Sequence, residues 1–151
     1  MKAYMKTHRG LVREQNEDTI CVAAPLYVLA DGMGGHQAGE VASALAARTL
    51  CETLRDMQPS ADALTRGYLA ANSAVFARQK EDETLSGMGT TMTALWEDQE
   101  YVFVGQIGDS RAYLYRDGKL HQITEDQSMV GEMLRAGAIT EEQARSHPYR
   151  N

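Results

Sequence analysis

Two helical segments stand back to back in the middle of this 151-residue chain, with strand-like segments on both sides, and that order narrows the fold more than any other feature. Over residues 37–55 the apolar positions Ala38, Val41, Ala42 and Leu45 share one face, and the many alanines permit close approach to a neighbour. Pro59 and Ser60 offer a stop and a new N-cap, after which Leu64, Tyr68, Ala71 and Val75 recur at helical spacing as far as about Gln79. Ahead of the helices, residues 1–7 and 19–24 alternate loosely as strands do, and residues 26–30 form a compact apolar run that reads as a buried strand. Beyond them, residues 80–85 read as a charged loop and the period falls to two. Residues 89–96, 100–107 and 111–116 are strand-like, and Asp117-Gly118 predicts a tight hairpin into 119–123. Residues 127–135 are helical again, Gly137 is a stop, and Thr140 to Gln143 spells a capping box. Strands, two helices and an antiparallel meander predict an α+β fold with helices covering sheet faces.

At this length the chain reads as one domain, residues 1–151, with enough apolar residues (43%) to build a core. The longest apolar run, 20–30, is broken by Pro25 and too short to span a bilayer, and the first ten residues lack the apolar stretch of a secretory signal. Neither membrane insertion nor export is expected. Cys21 and Cys51 fit no metal or redox spacing, so they read as ordinary packing thiols in a reducing cytoplasm. The net charge of −6, from 21 acids and 15 bases, argues against nucleic-acid binding. It also means that a phosphorylated substrate must be received by local cations, either arginine or metal.

Tyr27 to Ser43 contains the most suggestive chemistry: an apolar run meets Asp31 and then Gly32, Gly34 and Gly35. A dinucleotide loop would need a third glycine where Gln37 stands. A P-loop would need lysine and a hydroxyl where Glu40 and Val41 stand, which puts an anion where the phosphate-binding cation belongs. A metal site fits better. A carboxylate held at the end of a strand suits a ligand, and glycine beside it lets the Gly32 carbonyl approach the same hard cation. Glu17, Asp18 and Asp109 lie where other loops meet predicted strands, so all could converge on one sheet end.

Taken together, Arg13 to Asp18 (REQNED), Ala30 to His36 (ADGMGGH), Gly87 to Thr91 (GMGTT), Gly108 to Arg111 (GDSR) and the tail from Gly137 and His147 resemble, in order, the bacterial type 2C metal-dependent serine/threonine protein phosphatases. The resemblance implies a sandwich of two antiparallel sheets flanked by helices, with two manganese or magnesium ions at one end. Asp31 would bridge both ions and the Gly32 carbonyl would bind one. Asp18 and, more indirectly, Glu17 would hold metal-bound waters, and Asp109 would bind a third, weaker ion. Arg13 would grip the substrate phosphate, and residues 125–151 would form a mobile flap. The activity implied is hydrolysis of phosphoserine and phosphothreonine in proteins by metal-activated water, opposing a serine/threonine kinase.

Several positions depart from that pattern. Animal relatives carry a proposed general acid, histidine, directly after the Asp-Gly pair; Met33 stands there, leaving His36 as the candidate or as mere decoration of a helix start. Gln127 replaces a frequent histidine, with an effect expected only on the flap. The family also continues into strands bearing two further aspartate ligands that nothing in this sequence matches. The chain is therefore expected to be the larger, N-terminal part of the domain, weakened or inactive, with uncovered sheet edges inviting self-association. The rival readings are a non-catalytic pseudophosphatase that binds phosphoproteins and a hydrolase of small phosphoesters. Met33 and Met88 are expected to pack under the glycine loop, Trp96 to cap a strand end, and Arg111 to form a structural ion pair.

Overall fold

The computed structural model describes residues 2–34 and 38–149, which form two compact units, one reaching Gln106 and the other starting at Ile107. In the first unit, strands β1 (Asp18–Ala23), β2 (Leu26–Met33), β4 (Met92–Glu97) and β5 (Val102–Ile107, ending just inside the second unit) lie side by side in that order, and the short β3 (Gly89–Thr90) also pairs with β2. Residues alternate across the sheet. Leu26, Val28 and Ala30 of β2 and Met92, Ala94 and Trp96 of β4 are buried, while Tyr27, Leu29 and Asp31 point to the opposite face.

The buried face is covered by helices α1 (Ala38–Leu54) and α2 (Ala61–Glu81). Helix α1 presents Ala42, Ala46, Ala47, Leu50 and Leu54 to the core. The small residues bring the helices close: a Cβ on Gly67 of α2 would stand 2.6 Å from the Leu50 side chain. Ser60 caps α2 as expected, accepting a hydrogen bond from the Ala63 amide. Tyr68 lies half-buried on the same helix and donates its hydroxyl to the Met92 carbonyl at 3.2 Å. Burial holds that phenol above its ordinary pKa.

The second unit contains the hairpin β6 (Tyr113–Arg116) and β7 (Lys119–Gln122), then helices α3 (Met129–Arg135) and α4 (Glu141–Arg145). Asp117 and Gly118 adopt φ of 51° and 75°, the two left-handed residues that a two-residue hairpin turn demands. Thr140 and Gln143 form the reciprocal capping box.

Four sequence expectations change. Residues 2–7 form no strand, because no neighbouring strand takes up their backbone groups among the described residues. The 80–85 loop is instead the end of α2 followed by a turn of 3-10 helix at Glu83–Leu85, capped by the Asp82 carboxylate. Trp96 is not an end cap but a core residue paired with Leu26, and Met33 is 63% exposed, lying over Gly89 rather than beneath the loop. No helix among the described residues is long and apolar enough to cross a membrane.

Candidate functional site

Strand β2 does not stop at Asp31; it runs through Gly32 to Met33. The reason lies opposite. The pairing of Leu29 with Thr93 and of Gly32 with Thr90 keeps one register across the break at Thr91. There the Thr91 amide donates to the Asp31 carbonyl at 2.9 Å, and the Thr91 hydroxyl accepts from the Asp31 amide at 3.2 Å. The Thr90 hydroxyl lies between two carbonyls that compete for its one proton, that of Thr91 at 2.7 Å and that of Asp31 at 3.0 Å. Asp31 is thus anchored by its backbone on the β4 side.

On its other side Asp31 faces Asp18 across the β1–β2 ladder. The next pair along, Glu17 and Gly32, is joined by the Gly32 amide donating to the Glu17 carbonyl at 3.1 Å. Hydrogen-bonded and non-bonded pairs alternate in an antiparallel ladder, so Asp18 and Asp31 form the non-bonded pair, in which side chains stand closest. Two carboxylates held directly opposite repel one another, and a cation between them relieves that cost. Asp18 is steadied by the Thr7 hydroxyl, which donates to Oδ2 at 2.6 Å, and by its own amide donating to Asn16.

Gly32 and Gly39 bring three backbones into contact. A Cβ on Gly32 would lie 2.0 Å from the Gly39 carbonyl oxygen and 2.7 Å from that of Glu17. A Cβ on Gly39 would meet the Glu17 carboxyl at 2.8 Å. The glycine at 32 is therefore required by packing as well as by any ligand role. Ser43, the only buried polar side chain among the described residues, donates to the Glu17 carbonyl at 2.7 Å and is contacted by the Thr19 hydroxyl at 2.9 Å. This lock on Glu17 was not foreseen; its sequence signal is a serine on the alanine face of α1.

Arg13 lies 3.6 Å from the Glu17 carboxylate, with 65% of its side chain exposed, and lines an open cavity with Glu17, Gly32, Met33 and Val41. Of the predicted site residues, Arg13, Glu17, Asp18, Asp31 and Gly32 thus lie at one end of β1 and β2 in the first unit, with Arg13 and Glu17 on the side of α1 and Asp31 on the opposite face. His36 lies outside the described residues. Asp109 belongs to the second unit, exposed in the loop after β5. Gln127 holds that loop at both ends of its side chain and backbone: its amide donates to the Gly108 carbonyl at 2.9 Å, and its Oε1 accepts from the Gly108 amide at 3.2 Å. Gln127 therefore positions the Asp109 loop, a larger role than the flap effect expected of it. Arg111 makes the anticipated ion pair, donating through Nε to Asp126 at 2.8 Å and through Nη2 to the other carboxylate oxygen.

The donors at the β1–β2 end are all oxygens (two carboxylates side by side, a third at Glu17, and the Gly32 carbonyl), which fits manganese or magnesium rather than a soft metal. No group of three or more histidine, cysteine, aspartate or glutamate side chains among the described residues is close enough to share an ion.

Residues 9–148 match the family model described as protein phosphatase 2C. The chain is 46% identical over 149 residues to the serine/threonine protein phosphatase PstP of Mycobacterium tuberculosis, covering 97% of this chain and 29% of that protein. The crystal structure of the M. tuberculosis phosphatase superposes with a TM-score of 0.85 at 46% identity, over 96% of this chain and 63% of that one. A crystal structure of the PstP catalytic domain in complex with two manganese ions superposes with a TM-score of 0.82 at 44% identity, over 92% of this chain and 61% of that one. The chain thus spans less than two thirds of these relatives, and within that span its helices and antiparallel sheets follow theirs. It belongs to the protein phosphatase 2C family.

Proposed function

We propose that this chain carries the larger part of a manganese- or magnesium-dependent protein serine/threonine phosphatase site, acting on phosphorylated proteins and opposing a kinase. The observation that carries the proposal is the register of β1 and β2, which sets Asp18 opposite Asp31 beside the Gly32 carbonyl. Asp31, Gly32 and Asp18 would hold the ions, with Glu17 behind them and Asp109 serving a further, weaker one. When bound, such ions lower the pKa of water toward neutrality and offset charge on the phosphoryl group. The chain's own residues do the rest. Arg13 offers a planar fork of donors to the phosphate oxygens, and its exposed guanidinium is oriented by Glu17. The Thr90 and Thr91 contacts hold the Asp31 backbone so that its carboxylate needs no rearrangement to receive charge. His36 is the candidate proton donor to the departing serine or threonine oxygen. With no three-donor cluster among the described residues, the present donors are expected to bind the ions weakly.

The test is hydrolysis of a phosphothreonine peptide and of p-nitrophenyl phosphate with manganese, by this chain and by a fusion supplying the C-terminal part of the M. tuberculosis domain. Peptide turnover by the fusion, abolished by Asp31→Asn and by chelation, is the expected result. Manganese-dependent peptide binding without turnover in either form would favour the pseudophosphatase reading. Cleavage of p-nitrophenyl phosphate alone would favour a small-ester hydrolase.

A further inference from the structure

Cys21 and Cys51 lie 30 positions apart, one on β1 and one near the C-terminal end of α1, yet their sulfur atoms stand 3.1 Å from each other. The β-strand register fixes the first: Cys21 pairs with Val28 and so points to the helix-covered face of the sheet. Helix α1 lies on that face and brings Cys51 to it; both thiols are half-buried and pack against the core. We propose that Cys21 and Cys51 are a thiol–disulfide couple, a site of reversible oxidation that staples β1 to α1. A covalent S–S bond is about 2.05 Å long, so the sulfurs need to close by only about 1 Å. The loop so closed, residues 21–51, contains Asp31, Gly32 and Gly39.

The oxidant class is a hydroperoxide, with hydrogen peroxide the simplest. Burial and the neighbouring Cys21 push the Cys51 thiol up to about 12. One sulfur of the pair displaces water from peroxide and becomes a sulfenic acid. The other sulfur then attacks it, expelling hydroxide, which takes the attacking thiol's proton and leaves as a second water. The thiols lose two electrons and two protons, and peroxide gains them.

Peroxide treatment of the full chain, followed by N-ethylmaleimide and peptide mass spectrometry, tests this directly. The expected product is monomeric, lighter by about 2 Da, unreactive to the maleimide, and restored by dithiothreitol. Closing a loop of this length should also raise Tm by about 10 °C. Cys51→Ser should abolish the mass loss and leave Cys21 oxidised only to oxygen adducts or linked between copies. The proposal is overturned if both thiols of the native chain still take up maleimide, if they end as sulfinic acids, if only intermolecular links form, or if Tm falls on oxidation. The native-chain measurements decide the matter even if the variant does not fold.

Discussion

The two compact units are held by different physics. In the first, strands β2 and β4 and helices α1 and α2 share one apolar core in which Leu50, Ala42, Ala30 and Ala94 have no solvent exposure. In the second, Val130 is the one buried hydrophobic residue among those described, and Tyr113, Tyr115 and Leu120 of the hairpin are 47%, 71% and 64% exposed. What organises the second unit is directional polar bonding: the Asp117-Gly118 turn, the Arg111–Asp126 pair, Arg135 donating to the Asp126 carbonyl at 2.7 Å, and the Ser128 and Thr140 caps. Burial scales with area and is little affected by pH or moderate salt, whereas bonds of this kind are local and answer to both. The comparison predicts that the first unit fails through sterics and the second through titration and fraying.

The largest effect is expected at Gly32. Alanine there would drive a carbon to 2.0 Å from the Gly39 carbonyl oxygen, a backbone atom that has no rotamer to escape with. The strand, the start of α1 and the Glu17 turn must then separate, at a cost of about 4 kcal/mol. Trp96, the single tryptophan and a core residue, reports the loss as a lowered urea midpoint. A midpoint within error of the native chain would mean that this three-way contact is loose and that burial alone organises the first unit.

How much of this could be read from sequence divides along the same line. Local signals were legible: the Ser60 and Thr140 caps, the Asp117-Gly118 turn, the helical face of α2, and the kinship of Asp18 and Asp31 through motif order. Features that depend on two elements docking were not. Strand β2 continues past Asp31 because Thr90 and Thr91, some sixty positions away, carry the pairing across the gap between β3 and β4. Ser43 looks like a weak helix former among alanines until the Glu17 carbonyl is set beside it. The Cys21–Cys51 approach needs both the strand register and the phase of α1. Residues 2–7 alternate as a strand would, but alternation without a partner leaves the backbone to solvent.

A smaller and pH-dependent effect is expected in the second unit. Hydrogen bonding to Arg111 holds the Asp126 carboxyl below its ordinary range. The folded-state pKa is thus lower than the unfolded value of about 4, so the stabilisation is fully present above that value and disappears as pH falls through the folded one. Arg111 is 49% exposed and Asp126 22%, so solvent screening limits the pair to about 1 kcal/mol. The protection of the β6 and β7 amides, relative to their intrinsic exchange rate at each pH, should therefore fall about fivefold between pH 5 and pH 3. Arg111→Gln should flatten that dependence, and added salt should do the same in part. An acid response identical in native and variant chains would remove this pair from the forces that organise the unit.

The smallest effect is expected at the cap of α4, and it sharpens the contrast with α2. Both helices begin on a hydroxyl that accepts from an amide three residues on, at 3.2 Å from Ala63 to Ser60 and 3.2 Å from Gln143 to Thr140. Helix α2 then buries Ala63 and Leu64 in its first turn, whereas α4 buries nothing along its five residues. A helix so short is marginal without tertiary support, and the cap is most of what defines its start. Thr140→Ala should cost about 0.5 kcal/mol, and that cost should appear as fraying: the Ala144 amide, which donates to the Thr140 carbonyl at 2.9 Å, should lose its protection first. If Ala144 exchanges no faster in the variant, α4 is held by something other than its capping box, and the second unit is less dependent on local polar bonds than its exposed hairpin suggests.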